Sequence, residues 1–185
     1  MLLKWNILRS QVVLRTRWFE IKKDFRQTRQ GVKIPEYYTW QKPDCVIVFP
    51  LTSDNHVVLI KQYRHGVKAI NIDYPGGTIE VGQSLAQAAH FELKEETGYK
   101  FDAYECIGKY AMDSSYSNQF AHFVVATGCR LIDMPSHPQE ETEVFTVPLG
   151  NMDSFAEKNI DCLLCSLITL KATQWISKKK SYSLI

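Results

Sequence analysis

The sequence predicts an α+β fold, a mixed β-sheet sandwiched between helices, with an antiparallel strand subdomain at the N-terminus. Three observations predict it. Apolar and polar residues alternate over the first forty positions, short Val- and Ile-rich runs fill the middle, and helical periodicity follows Ser84 and recurs from about Asp161 to Ser177. The 185 residues suit one domain with a small appendage. We place the boundary so that 1–42 form the N-terminal β subdomain and 43–185 the main domain.

Gln11-Val12-Val13-Leu14-Arg15 and Phe19-Glu20-Ile21-Lys22 alternate apolar and polar positions, and Gly31 marks a turn before Tyr37-Tyr38-Thr39-Trp40, which reads as two or three antiparallel strands. Cys45-Val46-Ile47-Val48-Phe49 and Val57-Val58-Leu59-Ile60 flank Thr52-Ser53-Asp54-Asn55, a hairpin turn whose Asp and Asn tolerate positive φ. Another strand precedes Pro75-Gly76-Gly77. A helix starts at Ser84, because Ser84-Leu85-Ala86-Gln87 has capping-box form. Ala86, Ala89 and Leu93 make its inward stripe, and Gly98 ends it. Strands return at Glu105 to Tyr110, Ala121 to Thr127 and Glu143 to Val147. The last helix buries a face made of Leu164, Leu167, Ile168, Lys171, Ala172 and Trp175.

A formal net charge of +2 generates no field that calls for nucleic acid, and Lys178-Lys179-Lys180 reads as a solvated tail. No run reaches the roughly 18 apolar residues of a membrane span, and Met1-Leu2-Leu3-Lys4-Trp5-Asn6 lacks a signal-peptide core, so a cytoplasmic protein is expected. Five cysteines scattered through apolar runs argue against a disulfide framework. Cys162-Leu163-Leu164-Cys165 has redox spacing, but it opens an apolar helix and reads as helix core. The five histidines have no metal-ligand spacing, and His122 reads as a structural strand residue.

The chemistry concentrates between Pro75 and Tyr99. At 100° per residue, Glu92, Glu95 and Glu96 share one helical stripe, where like charges repel unless a cation compensates them. Carboxylate oxygens suit magnesium or manganese rather than zinc. Adjacent glycines at Gly76-Gly77 let the main chain approach a ligand closely. This segment resembles the Nudix box, G-x5-E-x7-R-E-U-x-E-E-x-G-U with U a bulky apolar residue: Gly77, Glu92, Leu93, Glu95, Glu96 and Gly98 match, and Tyr99 is an aromatic variant of the last position. Gln62-Tyr63-Arg64, Ile72-Asp73-Tyr74-Pro75 and Glu140-Glu141-Thr142-Glu143-Val144 extend the likeness to the branch of ADP-ribose pyrophosphatases.

The resemblance implies a Nudix fold and hydrolysis of a pyrophosphate bond in a nucleoside diphosphate linked to another moiety. It implies Mg2+ or Mn2+ held by Glu92, Glu95, Glu96 and the carbonyl of Gly76, with Glu140 or Glu141 as base. It places Arg64 on the diphosphate and Gly77 beside the substrate, and implies a homodimer whose N-terminal strands contribute aromatic residues such as Trp40. Tyr116, the aromatic of the polar loop Ser114 to Gln119, is a further candidate for substrate contact.

Two box positions depart: Gln83 stands for Glu and Phe91 for Arg. Losing both charges strands no unpaired ion, so the fold is expected to survive with weaker metal binding. A second reading follows from these departures, a Nudix-fold module that senses a nucleotide-like metabolite without turnover. The glutamate trio favours the enzyme, because its self-repulsion serves nothing in a pure binder.

Overall fold

The computed structural model describes residues 4–136 and 141–182. These form two units, one from Met1–Asp44 with Tyr110–Ala121, the other from Cys45–Lys109 with His122–Ile185.

In the first unit, β1 (Asn6–Arg15), β2 (Glu20–Gln27) and β3 (Lys33–Gln41) form an antiparallel sheet in that order. Thr16 closes the first hairpin, its hydroxyl accepting the amides of Trp18 and Phe19 at 3.1 Å each. Gly31 takes φ 84° in the second turn, a conformation that favours glycine. The loop after Tyr110 is tied to β3: the Trp40 amide donates to the Tyr116 carbonyl at 2.8 Å and the Tyr37 hydroxyl to the Ser115 carbonyl at 2.6 Å. Every residue of β1 is exposed, including Ile7, Leu8, Val12, Val13 and Leu14.

The second unit is built on an eight-stranded sheet. Its main path joins β11 (Thr142–Pro148), β5 (His56–Arg64), β4 (Cys45–Thr52), β10 (Phe120–Leu131) and β8 (Tyr99–Lys100). Off this path, β6 (Ala69–Asp73) pairs with β5, β7 (Gly76–Thr78) with β4, and β9 (Ala103–Ala111) with β10. Side chains of a strand alternate between faces, and β4 shows what each face carries. Val46 and Val48 are buried with Ala88, Ala89 and Leu93 of α1 (Leu85–Thr97). Phe49 stacks on Tyr74 at 5.3 Å, and the Tyr74 hydroxyl lies 2.7 Å from Thr169 of α3 (Leu163–Tyr182). Helices therefore cover the sheet on both sides, as the sequence predicts.

Two apolar stripes are shifted from their expected positions. On α1, Ala88 is buried and Ala86 only half-buried. On α3 the buried face is Cys165, Ile168, Thr169, Ala172 and Ile176, because Thr169 can be buried once its hydroxyl bonds both Tyr74 and the Cys165 carbonyl. The helix α2 (Met152–Asn159) and the short strands β7 and β8 were not expected from periodicity, being too short to show one.

The α1 termini follow the sequence closely. Ser84 and Gln87 make the reciprocal capping box, and Gly98 ends the helix at φ 74°. Ser84→Ala should therefore cost about 1 kcal/mol, measured by urea unfolding with an unchanged slope.

Candidate active site

The box helix meets the glycine strand. Glu96 lies at the C-terminal end of α1 and is only 5% exposed. Burying a carboxylate is costly without a donor, and the Gly76 amide supplies one at 2.8 Å to Oε2. Half-buried Glu92, one turn earlier, lays its carboxylate against Gly77, in the space a Cβ would fill. A Cβ at Gly76 would instead strike the Val46 carbonyl of the paired strand β4. Both glycines are thus required by close approach, one to main chain and one to a carboxylate. Glu95, also half-buried, is one turn from Glu92.

Glu92 and Glu96 thus meet adjacent residues of the glycine strand, Gly77 and Gly76. Among the described residues, the acid and thiol group whose candidate ligand atoms all lie within 4.8 Å of one another is Asp73 with Cys162 and Cys165. Hard carboxylate oxygens spaced this way still fit magnesium or manganese, since Mg2+ keeps several waters and takes only one or two carboxylates directly.

Arg64, at the end of β5, donates from Nε to Asp73 at 2.7 Å, with its own side chain 44% exposed. Asp73 is buried at the end of β6, the strand paired with β5, and Gln62 approaches it at 3.5 Å. Sequence reasoning did not single out this acid, because its burial and its pairing with Arg64 follow from the register of β6 on β5 and leave no local signal. Glu141 is exposed just before β11 and borders an open depression of about 640 Å³ with Lys61, Gln62, Tyr63, Ile70, Thr142 and Glu143. Glu140 lies outside the described residues.

In the first unit, Trp40 and Tyr116 come together, ring centroids 6.2 Å apart, and Tyr37 stacks on Tyr116 at 5.9 Å. Trp40 also borders a hollow of about 490 Å³ with Phe19, Ile21, Lys42, Met112, Asp113, Ser117 and Gln119. The two departing box residues have local fates. The Gln83 side chain accepts the Glu80 amide at 3.0 Å and staples the turn at Gly82, while Phe91 is 56% exposed.

Comparison with known proteins identifies the family. The family model described as the NUDIX domain matches residues 41–161. The ADP compounds hydrolase NudE of Escherichia coli (strain K12) is 30% identical over 157 residues, 83% of each chain. The ADP-sugar pyrophosphatase of Mus musculus is 42% identical over 71 residues, 38% of this chain and 33% of its own. A crystal structure of an ADP compounds hydrolase superposes with a TM-score of 0.86 over 97% of both chains at 24% identity, a likeness of fold. With the box helix and its glycine strand assembled as described, the chain belongs to the Nudix hydrolase family.

Proposed function

We propose that this chain hydrolyses the pyrophosphate bond of a nucleoside diphosphate linked to another moiety, of the ADP-ribose or nucleotide-sugar type. The observation that carries the reading is the pairing of buried Glu96 with the Gly76 amide beside the Glu92 carboxylate on Gly77. The relatives named as ADP-compound and ADP-sugar hydrolases support the substrate class.

Glu92, Glu95, Glu96 and the Gly76 carbonyl would hold Mg2+ or Mn2+. When bound, such an ion neutralises phosphate oxygens and lowers the pKa of a coordinated water toward neutrality. Arg64, oriented by Asp73, is suited to a phosphate oxygen. Glu141 or Glu140 takes the proton of the attacking water. Trp40 and Tyr116 offer aromatic faces to a base. The exposed apolar residues of β1 suit a homodimer of the cytoplasmic protein, formed through the N-terminal strands.

Incubation with magnesium and a panel of ADP-ribose, nucleotide sugars and dinucleotides should release nucleoside monophosphate from at least one. Tight binding without product would favour the sensor, and neither binding nor product would reject the reading.

A further result is expected at the departing box positions. Gln83→Glu with Phe91→Arg restores two charges beside the ligand helix and should tighten magnesium binding by about tenfold, within the range for groups that support metal ligands. Calorimetric titration checks it, and an unchanged affinity would contradict it.

A further inference from the structure

The structure corrects the helix-core reading of Cys162-Leu163-Leu164-Cys165, which holds for one cysteine only. Cys165 is buried on α3. Cys162 is half-buried and immediately precedes the helix, with its carbonyl accepting the Ser166 amide at 2.9 Å, the N-cap position. Its sulfur is thus beside the positive end of a helix dipole. The Cys165 thiol donates to Asp73 Oδ1 at 3.3 Å, and the sulfurs of both cysteines lie within 4.8 Å of each other and of that carboxylate.

We propose that Cys162 and Cys165 form a redox-active dithiol that closes to an intrachain disulfide in response to hydroperoxides. The N-terminal sulfur is the nucleophile and the buried one resolves the intermediate, the division of labour expected of a Cys-x-x-Cys pair at a helix start. Electrostatics supports that assignment. The neighbouring Cys165 thiol lowers the Cys162 pKa from the ordinary thiol value, and the amides of Cys165 and Leu164 add to the lowering, against the opposing effects of burial and of the Asp73 carboxylate. The Cys162 sulfur, burial and the Asp73 carboxylate together push the Cys165 thiol up and keep it protonated.

The Cys162 thiolate attacks a peroxide oxygen, the O–O bond breaks, and the leaving hydroxide or alkoxide takes a proton, which leaves a sulfenic acid on Cys162. The Cys165 sulfur then attacks the Cys162 sulfur. The S–O bond breaks and water departs with the Cys165 proton. Two electrons pass from the two sulfurs to the peroxide. Closure needs side-chain rotation to bring the sulfurs to about 2.05 Å. It also removes one donor from Asp73, the carboxylate that pairs with Arg64.

The test treats the full chain with a few equivalents of hydrogen peroxide and maps its peptides without reduction. The expected result is a Cys162–Cys165 link, the loss of two of the five free thiols, and full reversal by dithiothreitol. Cys165→Ser, which keeps a donor for Asp73, should trap Cys162 as a dimedone-reactive sulfenic acid. Alkylation of Cys162 should also gain its rate at lower pH than alkylation of a free thiol such as glutathione. If Cys165→Ser fails to fold, wild-type mapping decides alone. Persistence of both thiols while Cys106 is oxidised would overturn the proposal, as would protection of both by a stoichiometric zinc ion without disulfide formation. Neither readout depends on pyrophosphate hydrolysis.

Discussion

Glu96→Gln should leave the fold intact and lower kcat by at least about 100-fold, more than is lost when a group that only supports a metal ligand is removed. The substitution is nearly isosteric, so the retained amide oxygen can still accept the Gly76 amide that now meets Oε2 at 2.8 Å. What disappears is a full negative charge in a buried position. The two effects separate experimentally: thermal unfolding should change little, while magnesium affinity and turnover fall together. A variant with turnover near the parent's would remove Glu96 from the metal site.

The second large effect separates the two adjacent glycines. Gly76→Ala sets a methyl group against the Val46 carbonyl of β4, and main chain in a paired strand cannot yield cheaply. Overpacking of this kind costs about 2–3 kcal/mol, a fall in melting temperature of roughly 5–10 °C for a chain of this size. Gly77→Ala sets its methyl against the Glu92 carboxylate, the far end of a flexible side chain. That variant should melt within a few degrees of the parent, yet lose most of its activity because Glu92 is displaced. Calorimetry paired with a rate assay distinguishes them, and equal stability losses would refute the assigned geometry.

The parts of the fold legible in the sequence were those fixed by local chemistry. Ser84, Gln87 and Gly98 bracket α1 through capping bonds that span only a few residues. The hairpin of β4 and β5 was legible for the same reason, its turn carrying Asn55 at φ 60°. What could not be read depends on partners far along the chain. Thr169 is a poor core residue on any hydropathy scale until Tyr74, 95 positions away, supplies its hydrogen bond. Asp73 gained meaning only when the pairing of β5 with β6 brought it to Arg64. The site was legible as a stripe of carboxylates and a glycine turn, because helical periodicity alone aligns Glu92, Glu95 and Glu96. Which glutamate met which glycine was not, since that follows from the register of β7 on β4.

The central claim, that the glutamates of α1 and the main chain at Gly76 hold a divalent cation against a diphosphate, is tested most directly by anomalous diffraction. Crystals soaked with manganese and a non-hydrolysable ADP-ribose analogue should show a manganese peak bounded by Glu92, Glu95 and Glu96, with the analogue's phosphates on its far side. Ordered analogue with those carboxylates turned to solvent and no manganese between them would contradict it.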